Sequence, residues 1–342
     1  MGPPTLQELQ SRRPFEGIFG DSVLGSDPEP ELLATRSFDQ LTHQLRHYAA
    51  SNPAISLKSI GTSNGGREIW LVSIGNGETD VLFAGQQHGN EPTGCTSLVA
   101  LIHHLATGAC DSYLESVTVH VVPRMNPDGA ESNARTNVDP DVPSSNAGAT
   151  GEGFFVSESG WDLNRYHFPD WTQSRLYEHH PETYPANPVP ESHALTELVA
   201  ALDPTWFVDV HNQGEGKKTP SGEDITHSIV WPILGSQQLP TEGLTLSKQL
   251  CVRIFDQLNQ YHSPVVSRYP ATASYPGVAH KAYSLQNRGS ILYETVMTPS
   301  HAQYRRQALT TLTTLLSLVG ATASGELYEI DPTRTDEIPP VA

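Results

Sequence analysis

The chain has 342 residues, 37% of them hydrophobic, and 38 acidic against 20 basic side chains give a formal net charge of −18. The apolar share is enough for the core of one sizeable α/β unit, and the charge argues against nucleic acid or an anionic membrane as partner, since both would repel it. Three scattered cysteines, Cys95, Cys110 and Cys251, form neither a disulfide framework nor a zinc knuckle and read as buried free thiols.

Residues 1–33 are rich in Pro, Gly and acidic side chains and read as a surface arm. They contain no basic segment followed by an apolar run, and no later stretch approaches the roughly 18 apolar residues of a membrane span, so the expectation is a soluble, cytoplasmic protein. A helix is predicted over 38–50, where Leu41, Leu45 and Tyr48 share one face and Asn52-Pro53 stops it. Strands at 55–60 and 68–74 flank a Ser-Asn-Gly-Gly turn and form a hairpin. An apolar strand at 81–85 runs into a turn at 86–90, followed by a helix at 92–106 and a buried strand at 117–122.

From 126 to about 190 periodicity vanishes, and a loop region of that length inside a compact domain is usually functional. Order resumes with a helix at 192–202 and a strand at 206–210. A strand at 228–233, a helix at 244–260, a strand at 290–296 and a helix at 301–319 complete the pattern. Strands alternating with helices imply an α/β sandwich with a mostly parallel sheet. Sites in such sheets form at the carboxyl ends of strands.

Those ends carry a distinctive set. His88 and Glu91 follow the strand at 81–85, His211 follows the strand at 206–210, and Glu294 lies in the strand at 290–296. Two histidines and a carboxylate are the usual protein ligands of a catalytic zinc that keeps one position for water. A His-x-x-Glu alone arises often by chance beside exposed loops, but its place at a strand end next to Gly89 strengthens it; the His-Glu-x-x-His helix motif is absent. Between the ligand candidates come Asn126-Pro127-Asp128-Gly129, Arg135 and Asp162-Leu163-Asn164-Arg165. One arginine can fix a substrate carboxylate through two parallel hydrogen bonds. A second can polarise a carbonyl under attack.

This ordered set resembles the zinc carboxypeptidase family typified by carboxypeptidase A, over about residues 35–320, from Ile60-Gly61-Thr62-Ser63 and Gly66-Arg67 through to Glu294. The resemblance implies a three-layer α/β/α sandwich with a mixed, mostly parallel central sheet, in a catalytic domain over 34–323 with a polar tail over 324–342. It implies one zinc ion on His88, Glu91 and His211, with Asp162 orienting the first histidine. Arg135 would polarise the scissile carbonyl, Asn164 and Arg165 would grip the terminal carboxylate, and Glu294 would be the general base. The family also uses a mobile tyrosine; of Tyr275, Tyr269 and Tyr283, Tyr275 is favoured. The stretch 138–160 is longer than simple members need, and the pocket position near Ala279 and His280 carries no charge that would select a terminal residue.

The implied activity is hydrolysis of a C-terminal peptide bond. A zinc-dependent N-acyl amino acid deacylase of the aspartoacylase and succinylglutamate desuccinylase type is the rival. The Asn126–Gly129 stretch and the short remainder after Glu294 count against it. An inactive peptide-binding relative would usually have lost a ligand or the base, and here all are present. Either enzyme would take a small substrate with a free carboxylate, a peptide or an N-acyl amino acid.

Overall fold

The computed structural model describes residues 33–342 apart from 109, 143–151, 158–159, 236–237, 261–263, 270–274 and 299. The arm expected over 1–33 therefore lies outside the described residues except for Leu33, which is buried in the core. Part of the long stretch at 138–160 lies outside them too.

Helix α1 (Phe38–Ser51) begins at Ser37, whose hydroxyl accepts from the Gln40 backbone while the Gln40 side chain accepts from the Ser37 backbone. That reciprocal cap fixes the start, and Leu41 and Leu45 bury its inner face. Strands β1 (Ile55–Thr62) and β2 (Glu68–Ile74) form the antiparallel hairpin. Gly66 closes its turn at φ +81°, a conformation open to glycine. Then come β3 (Thr79–Gly85), α2 (Pro92–Ala106), the short α3 (Asp111–Leu114), β4 (Val117–Val122) and α4 (Pro127–Ser132). A two-stranded ribbon, β5 (Val156–Ser157) and β6 (Gly160–Trp161), and a short helix α5 (Arg175–His179) lie within the stretch that lacked periodicity.

The second half contains α6 (Pro190–Leu202), β7 (Trp206–Gln213), β8 (His227–Val230), α7 (Thr241–Leu258), β9 (Val266–Arg268), α8 (Ala279–Ser284), β10 (Gly289–Val296) and α9 (His301–Ser324). Strand β8 is shorter than expected because Pro232 has no N–H to continue a ladder. Strand β9 and helix α8 are too short to register as periodic patterns.

The eight main strands are ordered β1-β2-β4-β3-β7-β10-β8-β9. The central β4, β3, β7 and β10 run parallel, and antiparallel pairs join them to β2 on one side and β8 on the other. Helices cover both faces, which is why the central strands are buried nearly throughout. Val208, Val210, Ile291 and Tyr293 point into a core shared with α1, α2, α7 and α9. Leu82, Ala84 and Phe207 point into the other, shared with α6, α8 and the aromatic residues of 154–171. The result is the three-layer sandwich with a mixed sheet.

The segment after 324 is packed, not loose. Leu327 and Ile338 are buried, and Arg334 makes a two-pronged contact with Asp256 of α7 at 2.9 and 2.8 Å. All three cysteines are buried free thiols. Among the described residues, no helix is long and apolar enough to cross a membrane.

Candidate metal centre

The turn after β3 is built to present His88. Gln86 takes a left-handed conformation (φ 52°), uncommon for a side chain with a Cβ. Its amide ties that strain down, donating to the Gly89 carbonyl at 2.7 Å and accepting from Arg124 at 2.8 Å. Gly89 lies against the backbone of Gly129 and Ala130, where a Cβ would come within 2.0 Å of the Gly129 carbonyl carbon. Asn126 holds the two loops together, accepting from Gly129 N and donating to the carbonyls of Gln87 and Arg135. Asp128 accepts from Gly65 N and pairs with Arg67. The Asn-Pro-Asp-Gly stretch is thus the clamp under the ligand loop.

Glu91 sits at the start of α2, with Pro92 in the first turn. One carboxylate oxygen meets His88 Nδ1 at 2.8 Å, and the other meets His211 Nδ1 and Asn212 N, each at 2.9 Å. Asn212 in turn accepts from Thr93 N and donates to Thr295. It locks the ends of β7 and β10 to the start of α2.

His88, Glu91 and His211 are all buried, with one donor atom from each lying within 4.8 Å of the others. Each ring has its far nitrogen against a carboxylate: His88 Nε2 on Asp162 at 3.2 Å and His211 Nε2 on Asp209 at 3.0 Å. Protons placed on those outer nitrogens would leave both Nδ1 atoms to turn lone pairs inward to a metal. They are 3.1 Å apart, an arrangement that two bare acceptors tolerate only with a cation or proton between them. Two imidazoles, a carboxylate and a carboxylate behind each ring suit a zinc ion.

The electrostatics agree. Burial opposes charge on both Glu91 and His211, yet each favours the charged form of the other: positive charge on the imidazoles holds the Glu91 carboxyl well below its ordinary range, and Asp209 and Glu91 hold the His211 imidazole well above its own. Burial likewise opposes ionised Asp162, but Arg165, His88 and Arg135 keep it charged. Asp209 is fully buried and still lowered, through His211 and Gln87. Negative charge is therefore fixed around the point where a cation would lie.

Glu294 is the in-register partner of His211 across the parallel β7/β10 pair, so both side chains leave the same face. Its Oε2 is buried without a hydrogen-bond partner among the described residues. Burial, reinforced by Glu91, raises its pKa. A carboxylate of this kind beside a metal position has the proton affinity and freedom a general base needs.

Arg135 and Arg165 converge on Asp162. Arg135 donates to it through Nε and Nη2 at 3.1 and 3.0 Å, its Nη1 is 3.6 Å from Glu91, and its side chain is 44% exposed. Arg165 lies 3.9 Å from the same carboxylate, with its guanidinium over the Phe155 ring. Asn164, expected to grip a substrate carboxylate beside Arg165, makes contacts within the fold. It is buried, its Oδ1 accepts from Ala279 N at 2.8 Å, and its Nδ2 donates to Asp209 at 3.2 Å. The tight turn at Leu163–Arg165 directs it inward, where it braces the acid behind His211 and the start of α8.

Of the three tyrosine candidates, Tyr283 is buried in the core with its hydroxyl on His167, and Tyr269 accepts from Lys217 at 2.8 Å. Tyr275 packs on Phe155 and Phe168, and its buried hydroxyl has no partner among the described residues.

Sequence reasoning missed Asp209, Gln87 and His167. Gln87 donates to Asp209 at 2.7 Å and contacts His167, which reaches Tyr283, forming a buried polar chain behind the metal position. Asp209 carried a usable signal: a lone acid in an otherwise apolar strand, two residues before His211 and so on the same face.

Comparison with known proteins agrees with this geometry. Residues 41–228, more than half of the chain, match the family described as zinc carboxypeptidase. Carboxypeptidase SOL1 of Arabidopsis thaliana is 31% identical over 142 residues, covering 36% of this chain and 28% of that protein. The carboxypeptidase N catalytic chain of Rattus norvegicus is 24% identical over 234 residues, covering 59% of this chain and 48% of its own. The chain thus spans less than half the length of either relative. Carboxypeptidase A from Helicoverpa armigera shares the fold with a TM-score of 0.64 at 18% identity, over 86% of this chain and 75% of that one.

Proposed function

This chain belongs to the zinc carboxypeptidase family, and from that premise we propose that it is a metallocarboxypeptidase releasing the C-terminal residue of a peptide. The observation that carries the proposal is Glu294: a half-buried carboxyl in register with His211, beside the three-donor cluster, whose buried Oε2 has no hydrogen-bond partner among the described residues.

His88, Glu91 and His211 are the zinc-binding residues. A zinc ion held there supplies Lewis acidity and lowers the pKa of water. The chain's own groups divide the remaining work. Asp162 and Asp209 hold the two rings in the tautomer that leaves Nδ1 bare. Glu294 takes a proton from the attacking water as its oxygen joins the carbonyl carbon. It then returns that proton to the amine nitrogen as the C–N bond breaks. Arg135, beside Glu91 and half exposed, would leave Asp162 to meet the carbonyl oxygen as negative charge grows there. Arg165 would receive the substrate's terminal carboxylate. Asn164 keeps Asp209 and α8 in place from beneath. Tyr275 is the tyrosine that would close over the substrate.

The reading is tested by hydrolysis of three matched sets: N-blocked dipeptides, the same dipeptides with a C-terminal amide, and N-acyl amino acids. The proposal predicts chelator-sensitive release of the terminal residue from the first set, with the amides far poorer because Arg165 loses its partner. Cleavage restricted to the N-acyl amino acids would replace the peptidase with a deacylase.

A further inference from the structure

Glu191, in the first turn of α6, is fully buried, and among the described residues no cation pairs with it. An acid kept inside the fold without a cation is costly, so its contacts matter. One carboxylate oxygen accepts from Asn64 N, in the turn between β1 and β2, at 2.9 Å. The other accepts from Asn137 Nδ2 at 3.0 Å. Asn137 is itself fully buried and lies two residues after Arg135.

Asn137 ties the segment that carries Arg135 to the segment that carries Asp162. Its backbone N donates to the Trp161 carbonyl at 3.1 Å, and its Oδ1 accepts from Trp161 N at 2.8 Å. Gly160 permits this approach, since a Cβ there would come within 2.0 Å of the Asn137 carbonyl oxygen. An asparagine amide has one donor end and one acceptor end. Ionised Glu191 only accepts, so it selects the orientation that presents Oδ1 to Trp161 N. The Asp162 side has anchors of its own: Asp162 N donates to the Phe155 carbonyl at 2.9 Å, and Ser192 Oγ to the Leu163 carbonyl at 2.8 Å. On the Arg135 side, Gly89 N donates to the Arg135 carbonyl at 3.3 Å and Trp161 Nε1 to Asp139 at 2.7 Å. These ties keep the segment folded when the Glu191 contact is lost, while Arg135 between them is free to shift.

We propose that Glu191 is a positioning residue for the reaction, fixing through Asn137 where Arg135 stands relative to Asp162, an inference that rests on Arg135 acting at the carbonyl oxygen. Arg135 reaches Asp162 through Nε and Nη2 at 3.1 and 3.0 Å and is 44% exposed, so its backbone, not packing, decides where the guanidinium can swing. Misplacing such a group by about 1 Å can cost up to about 100-fold in rate. Glutamine at 191 has one acceptor for two donors, Asn64 N and Asn137 Nδ2. Turning the Asn137 amide to suit it would set Nδ2 against Trp161 N. Adding Asn137→Asp restores every contact: the new amide donates to the new carboxylate, whose other oxygen accepts from Trp161 N.

The test measures kcat, KM and zinc affinity of the full chain, with an N-blocked dipeptide at about pH 8, where the Glu191 carboxyl, raised by burial to about 7, is ionised. Glu191→Gln and Asn137→Ala are each expected to lose about 10- to 100-fold in kcat, with KM and zinc affinity within about twofold of wild type. Asn137→Ala leaves the Glu191 contact to Asn64 in place, so it carries the test if Glu191→Gln does not fold. Added to Arg135→Ala, Glu191→Gln should cost less than about twofold more, because the group it positions is gone. Glu191→Gln with Asn137→Asp should return kcat to within about threefold of wild type. Unchanged kcat in both Glu191→Gln and Asn137→Ala, an undiminished loss on top of Arg135→Ala, or no recovery with Asn137→Asp would each overturn the proposal alone. Unchanged kcat in Arg135→Ala would remove Arg135 from the reaction, and the role of Glu191 with it.

Discussion

The Nδ1 atoms of His88 and His211 face each other at 3.1 Å, while their Nε2 atoms rest on Asp162 and Asp209. The second relation explains the first. An acid behind each ring favours a proton on the outer nitrogen, which would leave the inner nitrogens as donors to a metal.

Asp209→Ala should therefore weaken zinc without removing a ligand. The expected loss is about 10- to 100-fold in affinity, measured by chelator competition. Asp162→Asn should behave similarly and also release Arg135. Wild-type zinc affinity in both variants would mean that the rings are oriented by packing alone.

Arg165→Ala should act on substrates through their terminal carboxylate. A lost charge-assisted hydrogen bond is worth about 1.5–3 kcal/mol, so kcat/KM for a free dipeptide should fall roughly 10- to 150-fold. The amidated dipeptide should be nearly indifferent to the substitution. Equal losses on both substrates would remove Arg165 from carboxylate binding.

Gly89→Ala should disrupt the ligand loop. Its Cβ would overlap the Gly129 backbone, at 2.0 Å from the carbonyl carbon, and neither backbone has a flexible end to yield. The loss should exceed about 2 kcal/mol, in the range of overpacked sites, and appear together with weakened zinc binding. A chemical melt with zinc titration checks both.

Stability should fall on acidification. Burial lowers His104 and His167 to about 4, and His227 and His280 to about 3. Between those values and the ordinary pKa of about 6.5 the unfolded chain binds protons that the native chain refuses, so stability is full above that range and lost as pH falls through it. Each histidine contributes a slope of up to about 1.4 kcal/mol per pH unit. Burial raises Glu191 to about 7; its contribution has the opposite sign and offsets one histidine down to about pH 4.5. Denaturant melts at pH 7 and pH 5 should show a clear net loss, reduced in His227→Gln.

Much of this was legible in the sequence because the chemistry is concentrated at strand ends. His88, Glu91, His211 and Glu294 each follow or close an apolar run whose direction is set by the α/β pattern. The supports were harder to read because they come from distant segments: Gln87, Asp209 and His167 form one hydrogen-bonded chain that no local spacing marks. Asn164 makes contacts that its motif does not reveal. Its neighbour Arg165 faces the open side, but the turn sends Asn164 to Asp209 and Ala279. The strand β9 and helix α8 are short and fixed by tertiary packing, not by periodicity.

The central claim is a division of labour between three residues that hold zinc and one that moves the proton. It is tested most directly by measuring zinc content and dipeptide turnover on the same samples of wild type and Glu294→Gln. The account predicts one zinc per chain in both proteins and a turnover lower by about 10²- to 10⁴-fold in the variant, the usual worth of a general acid–base group. Zinc retained with turnover unchanged would contradict the role given to Glu294, and loss of zinc from the variant would make Glu294 part of the metal site itself.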